Sequence, residues 1–256
     1  MVVLSSKFRL EESSYREVEV YLRSSRIVIV PVGSFEAHGP HLPLSTDTLI
    51  AESIAELAAK KLNDRGVKVM VGPTIPLGCS GEHLHFPGTL SLSPEIMINL
   101  IYQVCLSLHR SGFKHIILLN GHGGNEAPLK AAAVKLRDEL GLIVAIINWF
   151  ELISEGKTDH AGPIETSIIL SYKPKLVNEY WKLPSNKARR GYVSFKQPAQ
   201  IPLPDMWNHT DGLGYLGNPA SASAERGESL IEEASDRLVS YILRVKSKGF
   251  LFGRIF

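Results

Sequence analysis

The apolar residues fall into two alternating patterns along the chain. Four short runs are rich in isoleucine and valine and show no polar alternation, as in "RIVIVPVG" and "HIILLNG". Such runs are typical of strands that are covered on both faces. Longer stretches between and after them have the 3.6-residue apolar spacing of amphipathic helices. The predicted strands are 26–33, 67–73, 115–121 and 142–150, and the predicted helices are 47–66, 93–112, 125–141 and 221–248.

The alternation of strand and helix predicts an α/β fold, a three-layer α/β/α sandwich around a mainly parallel sheet. Asp47 or Ser93 can cap the first two helices, and glycines end three of them. The segment 174–220 contains many prolines and glycines without a clear period, so we expect it to fold over one edge or mouth of the sheet. A chain of 256 residues with 44% hydrophobic residues is expected to form one domain over 1–256.

Charge and composition exclude several classes of function. Lys and Arg number 28 and Asp and Glu 26, without a basic or acidic block, so we expect no nucleic-acid or membrane partner. No run of about 18 apolar residues occurs, and the N-terminus becomes charged too soon for a signal peptide, which predicts a cytoplasmic protein. Cys79 and Cys105 lack CxxC spacing and are expected to be structural.

Ionisable side chains follow the predicted strands at the points where the chain leaves the core. In open α/β sheets, ligands bind outside the carboxyl ends of the strands, so these side chains are expected to converge at one edge. They come from "GSFEAHGPHLPLSTD", "NGHGGN" and "DHAGPIETS". The residues are Glu36, His38, Asp47, His122, Asp159, His160 and Glu165.

Such a concentration of carboxylates and imidazoles requires a neutralising cation, since buried like charges repel one another. Mixed Asp, Glu and His ligation suits Zn²⁺, Mn²⁺ or Fe²⁺, and the lack of cysteine in these motifs argues against a structural zinc site. Three carboxylates and two imidazoles would give five ligands, which is more than one open catalytic ion takes from a protein. Two ions about 3.5 Å apart, sharing a bridging carboxylate, would use all five.

Single residues in this set also have simpler interpretations. Asp47 could be only a helix cap, and Glu165 could only complement a helix dipole. His122 in its glycine turn could cap a helix or bind a nucleotide phosphate, which would make the protein a non-hydrolytic binding module. Glu36 together with His38 is harder to explain in these ways, because neither capping nor amphipathicity requires that pair after an apolar strand.

The three motifs, in this order and separation, resemble the creatininase (creatinine amidohydrolase) superfamily. That superfamily also includes formamide hydrolases of flavin and deazaflavin biosynthesis and a mycofactocin-precursor peptidase. The resemblance runs from about residue 14 to about residue 245 and adds "GEHLHFPGTLSL" and "GYLGNPASASAERGE". It implies a creatininase-like fold, a metal-dependent hydrolase of non-peptide C–N bonds and a homo-oligomer, commonly a hexamer.

The resemblance also implies roles for individual residues. The motif E-x-H-(x8)-D falls on Glu36, His38 and Asp47, with Asp47 bridging two ions, and the histidine of "NGH" is His122. Creatinine-hydrolysing members carry a glutamate ligand where this chain has Gly124, so Glu165 becomes the candidate for the remaining ligand and creatinine a less expected substrate. His160 is the predicted proton shuttle and, with Glu165, a predicted catalytic residue. The predicted substrate contacts are His41, Ser80, His85, Gly123 and Gly124.

The "NGHGGN" motif with a distal glutamate looks more like the formamide hydrolases. We therefore expect a small-molecule amide substrate and two divalent ions (Zn, Mn or Fe) per chain. A creatinine-type cyclic amidase remains open, as does a precursor peptidase, which would need a peptide groove in 174–220.

Overall fold

The computed structural model describes residues 8–155, 160–187 and 205–247. Its sheet has the strand order β2-β1-β3-β4, and every pair is parallel. The strands are β1 (Ile27–Val32), β2 (Met70–Val71), β3 (His115–Asn120) and β4 (Ala145–Asn148). The edge strand β2 has only two of the seven predicted residues. It ends before Gly72, which has a φ of 118°, and Pro73, which has no N–H to donate to a ladder.

The helices lie close to their predicted positions. Ser93 accepts a hydrogen bond from the backbone N–H of Ile96 and is the cap expected for its helix. Asp47 is not a cap: it lies inside the first turn of its helix, after Ser45. The helices are α1 (Tyr15–Leu22), α2 (Thr46–Asp64), α3 (Pro94–Ser111), α4 (Glu126–Leu140), α5 (Pro163–Tyr172), α6 (Met206–His209) and α7 (Ala224–Ser247).

Alternating residues of the sheet contribute their side chains to two hydrophobic cores. Ile27 and Ile29 of β1 face one core, which includes side chains of α2, α5 and α7. Val28 and Val30 face the other core, which includes side chains of α3 and α4. This arrangement confirms the three-layer α/β fold. No helix among residues 8–155, 160–187 and 205–247 is long and apolar enough to cross a membrane.

Part of the proline- and glycine-rich segment lies at the carboxyl end of the sheet. The backbone N–H of Leu216 donates to the carbonyl of His160, and that of Asn178 donates to the carbonyl of His41. Trp207 of α6 packs its ring on Phe86. The described parts of 174–220 therefore cover the region where the predicted site residues lie, and residues 188–204 fall outside the described ranges.

Candidate metal centre

Five predicted ligands are buried together where β1, β3 and two helices meet. Each of the five side chains is between 1% and 6% exposed, which is far below the usual exposure of charged groups. Two follow β1, one lies in the first turn of α2, one follows β3 and one lies in the first turn of α5. The five residues are Glu36, His38, Asp47, His122 and Glu165.

Two glycines allow α2 to approach the strand ends closely enough to place Asp47. A Cβ on Gly121 would lie 2.4 Å from the carbonyl oxygen of Asp47, and one on Gly33 would lie 2.1 Å from Oγ1 of Thr48. Neither distance is possible between real atoms. The glycines at the ends of β1 and β3 are therefore required for this helix position.

Asp47 lies at the centre of the cluster and divides its two carboxylate oxygens between two histidines. Oδ1 is 3.3 Å from Nε2 of His38, and Oδ2 is 3.3 Å from Nδ1 of His122. Glu36 lies on the His122 side of Asp47, with Oε2 3.2 Å from Nε2 of His122. Glu165 lies on the His38 side of Asp47, with Oε2 3.7 Å from Nε2 of His38.

This geometry gives two sets of potential ligands that share Asp47. The ligand atoms of Glu36, Asp47 and His122 lie within 4.8 Å of one another, and so do those of His38, Asp47 and Glu165. A third such group combines Glu36 and His38 with His160. The described residues thus contain a Glu, Asp and His cluster capable of binding metal.

The polar atoms of the cluster also fit a cation. Both carboxylate oxygens of Glu36 and Nε2 of His38 are buried and have no hydrogen-bond partner among the described residues. Nδ1 of His38 is 3.2 Å from the carbonyl oxygen of Glu36, which favours the tautomer with its lone pair on Nε2. Ser34 donates a hydrogen bond to Oδ2 of Asp47, and the N–H of Ala161 donates to Oε2 of Glu165 at 2.7 Å.

Burial and mutual charge shift the pKa values within the cluster. Burial opposes a charge on His38, but Asp47, Glu165 and Glu36 raise its pKa to about 10. Burial likewise opposes a charge on His122, yet Glu36 and Asp47 hold its pKa well above the usual value. Imidazolium charges therefore balance the carboxylates among the protein's own groups, and a bound divalent ion would replace those protons.

The two glutamates differ in charge. Burial raises the pKa of Glu36, but the neighbouring His122 outweighs burial and lowers it to about 2. Burial raises the pKa of Glu165 to about 8. At neutral pH, Glu36 is therefore ionised while Glu165 is largely protonated in the metal-free cluster.

His160 lies in the cluster as well. Its ring lies between those of His38 and His83, tilted by 39° and 41°, with centroid distances of 4.3 and 4.5 Å. Nε2 is 2.8 Å from the carbonyl oxygen of Ala37, so Nε2 carries the proton in the neutral ring and Nδ1 is left as an acceptor. Burial lowers the pKa of His160 well below its usual range.

The predicted substrate contacts have different surroundings. Ser80 is fully buried, and its hydroxyl has no partner among the described residues. His41 is buried with Nε2 3.0 Å from Oγ1 of Thr166. His85 lies outside the cluster, because its side chain is 67% exposed and Nδ1 is 2.5 Å from Oδ2 of Asp205.

Gly123 and Gly124 differ in the space around them. A Cβ on Gly123 would meet no atom within 4 Å. A Cβ on Gly124 would lie 2.2 Å from the carbonyl oxygen of Cys79 and 2.5 Å from Nε2 of His122. A glutamate cannot stand at position 124 unless the backbone moves, which agrees with the predicted need for a ligand from elsewhere.

Sequence reasoning missed Glu82 and did not assign His83 to the cluster. Oε1 of Glu82 is 3.5 Å from Nε2 of His122, and Nε2 of His83 is 3.4 Å from Oε1 of Glu36. Both lie in the 3₁₀ turn Gly81–His83. The adjacent acid and histidine in "SGEHLHFPG" were the available signal, but no predicted strand end pointed to them.

A family model described as creatininase, creatinine amidohydrolase, matches residues 11–242. The chain belongs to the creatininase family. This confirms the predicted resemblance and identifies the protein as a creatininase-family hydrolase.

Curated relatives include proteins with several activities. The mycofactocin precursor peptide peptidase of Mycobacterium ulcerans (strain Agy99) is 33% identical over 230 residues, 85% of this chain and 84% of the relative. A 2-amino-5-formylamino-6-ribosylaminopyrimidin-4(3H)-one 5'-monophosphate deformylase of Methanothermobacter thermautotrophicus is 33% identical over 145 residues, 56% of this chain and 57% of the relative. The creatinine amidohydrolase of Pseudomonas putida is 23% identical over 259 residues, 90% and 94% of the two chains.

Solved structures share the fold. A proposed creatinine amidohydrolase from Bacteroides fragilis NCTC 9343 superposes with a TM-score of 0.80 and 29% identity, covering 92% of this chain and 94% of that one. The manganese form of a creatininase superposes with a TM-score of 0.77 at 22% identity, covering 92% and 97%. The creatininase-like α/β fold is therefore confirmed.

Proposed function

We propose that this protein hydrolyses the C–N bond of an amide with the help of two divalent metal ions. The observation that carries the proposal is the division of the Asp47 carboxylate, which has one oxygen beside His38 and the other beside His122. A carboxylate in that position can bridge two ions. Glu36 on the His122 side and Glu165 on the His38 side would then each add one further ligand.

The ion pair would be Zn²⁺, Mn²⁺ or Fe²⁺, which suit mixed carboxylate and imidazole ligands. When bound, two such ions supply a water that is deprotonated near neutral pH and a Lewis acid for the substrate oxygen. A creatininase of the same fold has been solved in a manganese form.

The chain's own residues position the substrate and move its protons. Gly123 follows His122, is exposed and has open space at its Cβ position, so we place the approaching amide there. Nδ1 of His160 accepts the proton of the attacking water, because Nε2 donates to the Ala37 carbonyl. His160 then returns that proton to the departing nitrogen, which is needed because an amide anion is a poor leaving group.

The predicted substrate is a formamide. It is supported by the deformylase relative, which is more similar in sequence over its matched region than the creatinine amidohydrolase is. Cleavage of a peptide amide is the second candidate, favoured because the match to the mycofactocin precursor peptide peptidase extends over 85% of this chain.

The test is to prepare the protein with Zn²⁺, Mn²⁺ or Fe²⁺, measure bound metal, and assay release of formate from formamides and of amines from short peptides. We expect about two ions per chain and hydrolysis of one of the two substrate classes. Asp47→Asn should lose both the metal and the activity. Asp64→Asn changes an exposed acid on the same helix and is the matched control.

Full activity in Asp47→Asn, or activity without bound metal, would contradict the proposal. A protein that binds a nucleotide and no metal would instead be the binding module left open by the glycine turn.

A further inference from the structure

A groove between α2, α7 and the end of α5 lies away from the candidate metal centre. The described residues leave about 390 Å³ of open space in it, which is enough for a small molecule. Glu56 of α2 and Tyr172 of α5 line this groove. They follow Asp47 and Glu165 on the same helices, at distances of about 14 and 10 Å along the helix axes. The groove is therefore separate from the metal centre.

The lining of the groove includes apolar and aromatic side chains that the core holds in place. Ile231 belongs to the core that includes side chains of α2, α5 and α7. Leu57, Tyr172 and Phe8 are partly buried and pack against the same core. Side chains of this kind bury the apolar body of a ligand, and the face of an aromatic ring also attracts a cation.

Acidic side chains outnumber basic ones in the lining. Glu56 pairs with Arg9, and Glu232 pairs with Lys61, so these two carboxylates have cationic partners at the edge of the groove. The charged side chains that line the groove are Glu56, Lys60, Glu228 and Glu232.

Glu228 is the acid of this lining for which the described residues provide no cationic partner. It is exposed and precedes Glu232 by one turn of α7, a spacing at which like charges repel. Nζ of Lys60 is 3.3 Å from Oδ2 of Asp64, so the charge of this lysine is already matched. The groove therefore combines apolar and aromatic surface with a negative charge that is not balanced within it.

We propose that this groove binds a primary amine with an apolar body, in its ammonium form. The ammonium pairs with Glu228 and reduces the repulsion between Glu228 and Glu232. The apolar body packs against Leu57 and the ring of Tyr172. An anion of the same size does not fit, because its charge would meet the same two glutamates. The inference does not depend on the proposed hydrolysis, because the groove lies apart from the metal centre.

The experiment compares 2-phenylethylamine with 2-phenylethanol, which share an apolar body but differ in charge at neutral pH. Titrations followed by ligand-observed NMR measure the affinity of the protein for each compound. We expect the amine to bind about tenfold more tightly than the alcohol, because an ion pair and a cation–π contact each add a modest attraction. Raising the salt concentration should reduce this preference, since salt screens exposed charges.

Glu228→Gln should lower the affinity for the amine about threefold and leave the affinity for the alcohol unchanged. Asp138→Asn changes another exposed acid, on α4 at the opposite face of the sheet, and is the matched control. Equal affinities for the two compounds would overturn the inference, and so would an amine affinity that Glu228→Gln does not change. Failure of the amine to bind, together with a change in oligomeric mass in Glu228→Gln, would also overturn it, because a second copy of the chain would then cover the groove.

Discussion

The two sides of Asp47 use the same kinds of side chain but differ in charge. On one side, Glu36 faces His122 at 3.2 Å, and this contact keeps the glutamate ionised despite complete burial. On the other side, Glu165 lies 3.7 Å from His38, and burial raises its pKa to about 8. The difference shows that one side is a charged pair in the metal-free protein while the other is largely a neutral acid that ionises when a cation arrives.

Replacing the two glutamates separately is the strongest test of this difference. Glu36→Gln leaves a buried imidazolium without its closest counter-charge, so the metal-free protein should lose about 3–5 kcal/mol of unfolding free energy. Glu165→Gln replaces a largely neutral acid with a neutral amide and should change the stability of the metal-free protein by less than about 1 kcal/mol. Denaturant unfolding of the chelator-treated proteins measures both.

Both substitutions should nevertheless weaken metal binding and lower turnover, by a factor on the order of 10²–10³ if the site works as proposed. Equal losses of stability in the two metal-free variants would show that the two sides carry the same charge.

Substitutions at two adjacent glycines test the His122 side of the cluster through steric contacts, without changing any charge. Gly124→Ala places a methyl group 2.2 Å from a backbone oxygen and 2.5 Å from the His122 ring, so we expect a loss of about 1–3 kcal/mol and weaker metal binding. Gly123→Ala meets no atom within 4 Å and is the matched control. Metal content and thermal unfolding of both variants check the prediction, which fails if the control is the more damaging change.

The pattern of the sequence predicted the sheet, the main helices and the convergence of five side chains because each depends on local rules. Apolar runs give the strands, and the carboxyl ends of parallel strands must share one edge. Asp47 was open to two interpretations because a first-turn acid is also a common capping residue. In the structure Asp47 is not the cap, because the helix begins after Ser45, and its carboxylate lies beside His38 and His122.

The loop that brings Glu82 and His83 to the site follows no periodic pattern. Its position depends on long-range contacts, such as the hydrogen bond from Leu90 N–H to the Phe35 carbonyl at 2.9 Å. The contact of His85, from the same motif, with Asp205 could not be predicted either, because Asp205 is 120 positions away in a segment without a period. The predicted substrate contact of His85 stays a prediction. Tertiary contacts of this kind cannot be deduced from residue spacing.

Changing the pH should affect the stability of the metal-free and metal-bound proteins differently. The pKa of Glu36 falls from 4.5 to about 2, so its stabilisation is present above pH 4.5 and is lost as the pH falls through about 2. The pKa of His38 rises from 6.5 to about 10, so its stabilisation is complete below pH 6.5 and is lost as the pH rises through about 10. The pKa of Glu165 rises from 4.5 to about 8, so its stabilisation is complete below pH 4.5 and is lost as the pH rises through about 8.

Through these three groups, the stability of the metal-free protein should therefore fall as the pH rises from 4.5 towards about 10. Metal ions displace the protons of His38 and Glu165, so metal affinity rises with pH up to about pH 10. The gain in Tm on adding Zn²⁺ or Mn²⁺ should be larger near pH 8 than near pH 5.5. A gain that shrinks as the pH rises would contradict the assignment of His38 and His122 as ligands.

The smallest expected effect comes from the group that orients the shared carboxylate. Ser34 is fully buried and donates a hydrogen bond to Oδ2, the oxygen of Asp47 that faces His122. Ser34→Ala should weaken metal binding about tenfold, because partners that orient a ligand are typically worth 10–100-fold in affinity. Ser53→Ala removes another buried hydroxyl of similar size, bonded to the Ile50 carbonyl on α2, and should leave metal affinity unchanged. Since the hydroxyl contacts only the oxygen on the His122 side, titration with metal should show the weaker affinity in one of two binding steps. An equal loss of metal affinity in both binding steps would contradict this expectation. It would mean that the Ser34 hydrogen bond affects both sides of Asp47 alike.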